Sequence, residues 1–199
     1  MPALSRSARG RLLLASSSPR RRDLLAQIGI VPDAILTPDI DETPKRDELP
    51  RAYAQRLARA KVEAVASVAA PGEMVLGADT VVALGRRILP RADDEATARR
   101  CLGLLSGRRH TVMTAVVLRA GDGSQGSRLV ESVVGFSRLT DRQIDQLIEA
   151  GDWLGKAGGY AIQGHAGGVV RFLSGSYSNV VGLPLFETAQ LLRGRGWLR

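Results

Sequence analysis

A short apolar run near the start of the chain ends abruptly in three serines, a proline and three arginines. Residues 12–16 have the composition of a buried strand, and Pro19 suits the first position of the helix that the following pattern predicts. Ser18 stands where an N-cap residue is expected. The unpaired N–H groups of the helix start would lie beside serine hydroxyls and guanidinium groups, an arrangement that binds anions. A capped surface helix with a solvated basic face fits the same residues equally well.

Strand and helix patterns alternate along the rest of the chain. Helix patterns cover residues 50–69, 93–105, 140–150 and 184–192. β-rich runs cover residues 34–37, 74–84, 111–119, 128–139 and 169–173. Asp93 is expected to cap its helix, and Thr140 opens a capping box. A tight hairpin at Gly85-Arg86 makes at least one strand pair antiparallel, so we expect an α/β fold in which helices flank a mixed sheet. The length fits one domain over residues 1–199.

Charge and composition limit the partners of the chain. The formal net charge is +8, and 25 of the 28 basic residues are arginine. Positive charge attracts nucleotides as well as nucleic acids, but aromatic residues make up only 4% of the chain, so stacking platforms for single strands are scarce. No apolar run approaches the ~20 residues that span a bilayer. With Cys101 as the single cysteine, we expect a cytosolic protein, and a nucleotide satisfies its positive charge as well as a nucleic acid does.

Carboxylates provide the next candidates for function. Asp79 lies inside the apolar strand pattern of residues 75–82. Burying an unpaired acid is costly, so we expect a function or a cationic partner for it. An aspartate that pairs with an arginine at a strand end is the structural alternative. The loop residues Asp39, Asp41 and Glu42 could bind a hard cation through oxygen ligands, or could form a solvated acidic loop.

Familiar motifs elsewhere are excluded by their context. Residues 121–126 match G-x-G-x-x-G, but a strand follows them, whereas a dinucleotide fingerprint opens a helix. Residues 155–156 lack the flanking Gly and the Ser or Thr of a P-loop. The two histidines, His110 and His165, have neither metal-ligand spacing nor a serine-triad partner.

Seven ordered stretches together resemble the Maf family, the septum-formation-type nucleoside triphosphate pyrophosphatases. They are residues 15–21, 39–42, 57–61, 77–82, 105–107, 156–164 and 175–185. The resemblance extends over nearly the whole chain, from Leu14 to about Leu192. It implies an elongated, two-lobed architecture like that of ITPase, with a mixed sheet, a central cleft and a cytosolic homodimer.

The same resemblance implies metal-dependent hydrolysis of a nucleoside triphosphate to the monophosphate and pyrophosphate. The enzyme would be a hydrolase of acid anhydrides that cleans the nucleotide pool, with a link to cell-division arrest. Asp79 matches the family's proton acceptor. Arg20, Thr80 and Gln163 match positions linked to base selection, and this chain has them as in the branch that acts on dTTP and UTP.

These motifs and charges give a full set of expected site residues. Asp79 and Lys61 are expected to be catalytic, and Glu42 is expected to help hold Mg²⁺ or Mn²⁺. Substrate binding is expected of Ser16, Ser18, Arg20, Arg21, Thr80, Arg91, Lys156 and Gln163. Arg91 and Gly155 depart from the family, which usually has lysine and often has an acidic residue there. The net charge leaves one alternative, a non-catalytic basic regulator that binds nucleic acid.

Overall fold

A seven-stranded mixed sheet lies at the centre of the computed structural model, which describes residues 10–198. The strands are β1 (Leu12–Ala15), β2 (Ala34–Leu36), β3 (Met74–Leu84), β4 (Arg87–Leu89), β5 (Arg91–Ala92), β6 (Arg109–Arg119), β7 (Gln125–Phe136), β8 (Lys156–Ala157) and β9 (Val170–Ser174). The sheet order is β2-β1-β3-β6-β7-β9, and β4 pairs with β3. β1 runs parallel to β2 and β3, whereas the other neighbours are antiparallel. β5 and β8 form a separate two-stranded ribbon.

Helices cover both faces of this sheet. They are α1 (Pro19–Gln27), α2 (Pro50–Ala66), α3 (Glu95–Leu105), α4 (Asp141–Glu149), α5 (Tyr177–Val181) and α6 (Leu185–Arg193), with a 3₁₀ helix at His165–Val169. Within residues 10–198, no helix has both the length and the apolar character that crossing a bilayer would need.

The strand pattern of alternating faces divides the interior into two apolar cores. On one face, α2 packs Ala58 and Val62 against Val75 and Val117 of the sheet. The larger core on the other face contains side chains of α1, α3, α4 and α6 together with Leu76 of β3. Among residues 10–198, α2 is the helix that covers the first face, so the polar side chains that reach the sheet on this face come from its buried stripe.

Most predicted elements are present, and the prediction of a mixed α/β sheet flanked by helices is confirmed. The capping box at Thr140 is formed. The prediction of Asp93 as a cap is wrong by one residue, since Asp94 accepts the N–H of Thr97. Ser18 holds the N-cap position of α1, but its hydroxyl makes no capping bond. The one-domain prediction for residues 1–199 extends beyond the described residues at both ends and stays a prediction.

Candidate active site

An open cleft of about 830 Å³ lies where one edge of β3 loses its strand partners. β1 pairs with this edge as far as Gly77, and β4 pairs with it from Val82 onward. β6 occupies the opposite edge throughout. Residues 78–81 therefore have no strand beside them on this edge in the described chain, and three of them, residues 79–81, line the cleft. Asp79 and Thr80 both line the cleft, although successive side chains of a strand point to opposite faces.

Asp79 meets Lys61 because α2 packs unusually close to β3. A Cβ atom at Gly77 would lie 2.6 Å from Val62 Cγ2, so only glycine permits this approach. Lys61 directly precedes Val62, and its Nζ lies 2.6 Å from Asp79 Oδ1. The two side chains are only 10% and 8% exposed. The cationic partner that the buried position of Asp79 predicts is thus a lysine on the helix across the sheet face.

Glu42 extends this pair into a chain of three charged groups. Its Oε1 lies 2.7 Å from Lys61 Nζ, so one ammonium group joins two carboxylates. Burial raises the pKa of Asp79, and the nearby charges of Lys61 and Arg21 oppose that rise. A carboxyl with a raised pKa is a better proton acceptor than an ordinary one.

The predicted cluster of three acids in the loop does not form. Glu42 lines the cleft, whereas Asp39 and Asp41 do not. The Asp41 carboxylate instead accepts the N–H of Thr43 at 2.8 Å and closes a local turn. Local hydrogen bonds set the conformation of the loop here. Of its three carboxylates, only that of Glu42 contacts Lys61 in the described chain.

Arg21 ties three chain segments together beneath the cleft. It is 8% exposed, and it donates from Nε to the Gly182 carbonyl at 2.9 Å, from Nη1 to Ser16 Oγ at 3.1 Å and from Nη2 to Thr80 Oγ1 at 3.3 Å. Thr80 Oγ1 also lies 3.0 Å from Thr114 Oγ1. Arg21 therefore fixes the position of the side chains beside it, and its remaining N–H groups are available to a ligand.

The two serines behave differently from one another. Ser16 is 2% exposed, and its Oγ accepts the N–H of Ser18 at 3.1 Å as well as the Arg21 guanidinium. This arrangement shapes the turn between β1 and α1. Ser18 lines the cleft with a hydroxyl that makes no hydrogen bond in the described chain. Ser18 is consequently the serine whose hydroxyl can bind a ligand directly.

Three further cations crowd together along the same cleft. Burial and the charges of Arg21 and Arg91 lower the pKa of Arg20. Burial lowers the pKa of Lys156 too, and the charges of Arg20 and Arg91 add to that effect. Such mutual repulsion costs free energy until an anion neutralises it. Arg20, Arg91 and Lys156 therefore bring three positive charges to the cleft, and one of them, Arg91, pairs with Asp93 at 3.0 Å.

The two departures from the family pattern, Arg91 and Gly155, are neighbours in space. Gly155 has a φ of +67°, and a Cβ atom there would lie 3.7 Å from Arg91 Nη2. Gly155 also donates its N–H to the carbonyl of Ala92, beside Arg91, at 2.8 Å. The positive φ therefore favours glycine at this position more than the space does, and the Arg91 side chain is 60% exposed.

Gln163 lines the cleft beside a tightly built turn. Asp152 Oδ2 accepts the N–H of His165 at 2.7 Å and packs on Gly164, where a Cβ atom would lie only 2.3 Å from that oxygen. The backbone after Gln163 is therefore fixed, while its exposed amide remains available. A side-chain amide offers one donor and one acceptor edge, the pair that a pyrimidine base presents in reverse.

A divalent ion fits the two carboxylates only as part of a larger set of ligands. Within residues 10–198, no group of three His, Cys, Asp or Glu side chains is arranged to hold a metal. Glu42 and Asp79 supply two carboxylates near one another, on either side of Lys61. Mg²⁺ is commonly held by one or two carboxylates with substrate phosphates and water completing the shell. The residues present thus fit an ion that binds together with a phosphorylated ligand.

Known proteins resemble this chain over almost its full length. The sequence model of the Maf-like protein family matches residues 11–195. The chain belongs to the Maf family. A dTTP/UTP pyrophosphatase of Gluconobacter oxydans is 63% identical, with 96% of this chain and 92% of that protein covered. Proteins of the same name from Granulibacter bethesdensis and Caulobacter vibrioides are 58% and 59% identical, covering 94% of this chain and 93% and 96% of those proteins.

One solved structure shares a more distant resemblance with this Maf chain. A HAM1 protein from Coxiella burnetii has a TM-score of 0.43 and 15% identity, with 65% of this chain and 74% of that one covered.

Several residues around the Maf site were not predicted to act there. The carbonyl of Gly182 accepts from Arg21, and the carbonyl of Asn179 accepts the Thr114 hydroxyl at 2.9 Å. Both lie in or just after α5, whose five residues are too few to show a helical period. Asn179 is fully buried. The signal available in the sequence was a polar run, residues 174–179, between two apolar stretches.

Proposed function

We propose that this Maf-family chain hydrolyses nucleoside triphosphates to the monophosphate and pyrophosphate. The observation that carries the proposal is the Lys61 ammonium held between Glu42 and Asp79 in a cleft that also holds three crowded cations. The chain of Glu42, Lys61 and Asp79 suits proton transfer, and the three cations suit the binding of a polyphosphate. Relatives that are 57–63% identical and bear the name dTTP/UTP pyrophosphatase support the same activity.

In this mechanism a water molecule attacks the α-phosphorus. The bond between the water oxygen and the α-phosphorus forms while the bond from that phosphorus to the bridging oxygen breaks, and pyrophosphate leaves. Asp79 accepts the proton of the attacking water, a role that its raised pKa favours. Lys61 holds the Asp79 carboxylate in one orientation through the 2.6 Å contact and balances its charge before the proton arrives.

The cations of the cleft stabilise the charge that develops on the phosphates. Arg20, Arg91 and Lys156 bind the β- and γ-phosphates, and the Ser18 hydroxyl adds a donor at the start of α1. Arg21 contributes through its free N–H groups while it holds Ser16 and Thr80 in place. Arg91 acts as a planar fork in place of the usual lysine, so it offers paired donors instead of a point charge.

Mg²⁺ or Mn²⁺ completes the proposed site. Glu42 is the residue that would hold the ion with the triphosphate, which leaves Asp79 to accept the proton, and the ion would supply Lewis-acid neutralisation of phosphate charge. Because Lys61 contacts both carboxylates, its ammonium keeps the two acids in place when the ion is absent. Substituting Glu42 by Gln should weaken metal binding while leaving nucleotide binding to the cations largely unchanged.

A preference for dTTP and UTP forms part of the proposal. Gln163, Thr80 and Arg20 all line the cleft, and relatives bearing these substrates in their name support the assignment. The Gln163 amide pairs with N3–H and a carbonyl of thymine or uracil. A base with a different pattern of hydrogen-bond donors and acceptors leaves polar groups unpaired. Its triphosphate is therefore hydrolysed more slowly.

The deciding experiment identifies the products. Purified chain is incubated with dTTP, UTP, dATP and GTP, each with Mg²⁺ or Mn²⁺ and again with chelator, and the products are resolved by ion-exchange chromatography. We expect the monophosphate and pyrophosphate in equal amounts, and no reaction with chelator. Release of diphosphate and inorganic phosphate would contradict attack at the α-phosphorus. The Asp79→Asn variant, purified in parallel, reports any contaminating hydrolase.

Assembly, location and cellular role extend this proposal. We expect such an enzyme to be a cytosolic homodimer, and its role to be the removal of unwanted nucleotides. A link to cell-division arrest belongs to the same proposal. Sedimentation equilibrium of the purified protein tests the dimer. Cell length and nucleotide-pool measurements, after overproduction of the active chain and of Asp79→Asn, test the role. Filaments formed only with the active chain would tie the arrest to hydrolysis.

The remaining alternative is a non-catalytic, basic regulator that binds nucleic acid. The net charge of +8 favours it, whereas the buried carboxylate of Asp79 would repel a phosphodiester backbone rather than bind it. A DNA mobility shift that persists at physiological ionic strength, with no pyrophosphate release, would favour the regulator.

A further inference from the structure

The loop that carries Glu42 is fastened to α2 by side chains that the proposed chemistry does not use. Tyr53 Oη donates to the carbonyl of Glu42 at 2.6 Å. Arg56, on the same helix, donates from Nη2 to the carbonyl of Thr43 at 3.1 Å. These bonds act on the backbone of Glu42 and of the residue that follows it. They therefore fix the backbone position from which the Glu42 side chain extends.

A partly buried ion pair fastens the other end of the loop. Arg56 donates from Nε and Nη2 to the two carboxylate oxygens of Glu48, each at 2.7 Å. Glu48 also accepts the N–H of Lys45 at 3.0 Å, and its side chain is only 9% exposed. The hydrogen bonds from Arg56 lower the pKa of Glu48 to about 2, so the pair stays ionised at neutral pH. Paired, charge-assisted bonds of this kind are the strong and directional ones.

The contact between Glu42 and Lys61 could not hold the loop alone. The Glu42 side chain is 45% exposed, and ion pairs in contact with water contribute little. Lys61 lies on α2, two helical turns beyond Tyr53. One rigid helix thus carries both the fastenings of the loop and the ammonium that Glu42 must reach.

We propose that Tyr53, Arg56 and Glu48 are positioning residues that hold Glu42 against Lys61, and through Lys61 fix the orientation of Asp79. This inference rests on the proposed pyrophosphatase function. Without the fastenings the loop samples many conformations, and the cost of ordering it falls on every turnover. Misplacing a reacting group by about 1 Å can cost on the order of a hundredfold in rate.

Two variants and one control test the proposal in the full-length chain. Tyr53→Phe removes one hydroxyl and keeps the ring whose centroid lies 5.4 Å from the Arg56 guanidinium carbon. Glu48→Gln keeps the shape of the side chain and removes its charge. Arg99→Gln is the matched control, because Arg99 also contacts two carboxylates, Glu95 and Asp145, and does not line the cleft.

The first measurement is independent of catalysis. Endoproteinase Lys-C cuts after lysine and not after the 25 arginines, and the bond after Lys45 lies in the exposed part of the loop, so the rate of that cut, followed by mass spectrometry, reports how often the loop leaves α2. We expect each of the two variants to be cut about five times faster or more, and Arg99→Gln to be cut at the parent rate.

The second measurement separates positioning from general destabilisation. We expect kcat to fall about fivefold to tenfold in Tyr53→Phe and Glu48→Gln, with KM for the triphosphate changed by less than about twofold. Arg99→Gln should keep both constants. Faster cutting without a loss of kcat would overturn the proposal, and so would unchanged cutting. A parent chain inactive on every triphosphate would instead overturn the pyrophosphatase assignment, while the cutting rates would still report whether the loop is fastened as described.

Discussion

Lys61 Nζ lies 2.6 Å from Asp79 Oδ1, with both side chains almost fully buried between α2 and β3. Burial raises the pKa of Asp79, and the positive charge of Lys61 is the largest effect that opposes this rise. The contact therefore sets the pH at which Asp79 becomes a carboxylate able to accept a proton. It also makes the two residues a single unit in any substitution experiment.

Replacing Lys61 by Met should move the acid limb of the pH profile. Without the ammonium, the pKa of Asp79 rises further, so the fraction of ionised Asp79 at a given pH falls. We expect the rise of kcat/KM with pH to occur at higher pH in Lys61→Met than in the parent chain, in addition to a lower plateau. An acid limb at the same pH in both proteins would show that Asp79 is not the group that titrates.

Replacing Asp79 by Asn should remove the proton acceptor and leave the fold intact. The amide is nearly isosteric with the carboxylate, but it cannot take a proton at neutral pH. We expect kcat to fall by about a hundredfold or more, with KM changed far less. Near-parental kcat would remove Asp79 from the mechanism. Thermal unfolding should still be cooperative but at a lower temperature, because Lys61 loses its buried partner and keeps only the more exposed Glu42.

Arg21 and Arg22 form a natural pair of test and control. Arg21 bridges Ser16, Thr80 and Gly182, whereas Arg22 is 57% exposed and forms an ion pair with its neighbour Asp23. Arg21→Ala should lower kcat/KM by about a hundredfold, because it leaves buried polar groups unpaired and misplaces Thr80. Arg22→Ala should change kcat/KM by less than about twofold. Equal and mild effects in both would make the arginine cluster only a solvated face.

His110 should make the stability of the protein fall in mild acid. Its Nε2 lies 2.8 Å from Tyr160 Oη, and burial lowers its pKa from 6.5 to about 4. Between those two values the unfolded chain binds a proton that the folded chain excludes, so the free energy of unfolding decreases as the pH falls. We expect a loss on the order of 1–2 kcal/mol between about pH 7 and pH 5.

The control for this prediction is the other histidine. His165 is 70% exposed and contacts Asp152. Denaturant unfolding of His110→Gln should lose most of the pH dependence over that window, although its stability at neutral pH will be lower. His165→Gln should keep the dependence. The same dependence of the free energy of unfolding on pH in the parent chain and in both variants would assign the acid sensitivity to other groups.

The sequence alone predicts the central features of the site because they follow from burial. An aspartate inside an apolar strand requires a cationic partner or a function, and Asp79 has Lys61. A strand that ends in serines before a proline predicts the turn into α1, where Ser16 and Ser18 lie. The choice of Lys61 among 28 basic residues came only from the family resemblance, since the contact depends on the close approach at Gly77.

Loop directions could not be predicted in the same way. Asp39, Asp41 and Glu42 are equally acidic and close in sequence, yet only Glu42 lines the cleft. What separates them is the pair of fastenings from Tyr53 and Arg56. These hydrogen bonds join residues of the loop and of the helix that are roughly ten positions apart in the sequence. The periodic patterns that predict helices and strands therefore do not reveal them. The short α5 was missed for a related reason, because tertiary contacts rather than helical periodicity define it.

Base preference gives the last prediction. Gln163 lines the cleft, and the backbone after it is fixed by the packing of Asp152 on Gly164. A fixed amide that pairs with N3–H and a carbonyl should favour a pyrimidine over a mismatched base by about 1–3 kcal/mol. We expect kcat/KM for dTTP and UTP to exceed that for dATP and 7-methyl-GTP. In Gln163→Ala the four values should converge, mainly through loss of the pyrimidine rates. Gln163→Glu tests the pattern further, because a carboxylate accepts from N3–H but cannot donate to the carbonyl. Purine rates equal to pyrimidine rates in the parent chain would refute the assigned preference and leave pyrophosphate release itself untouched.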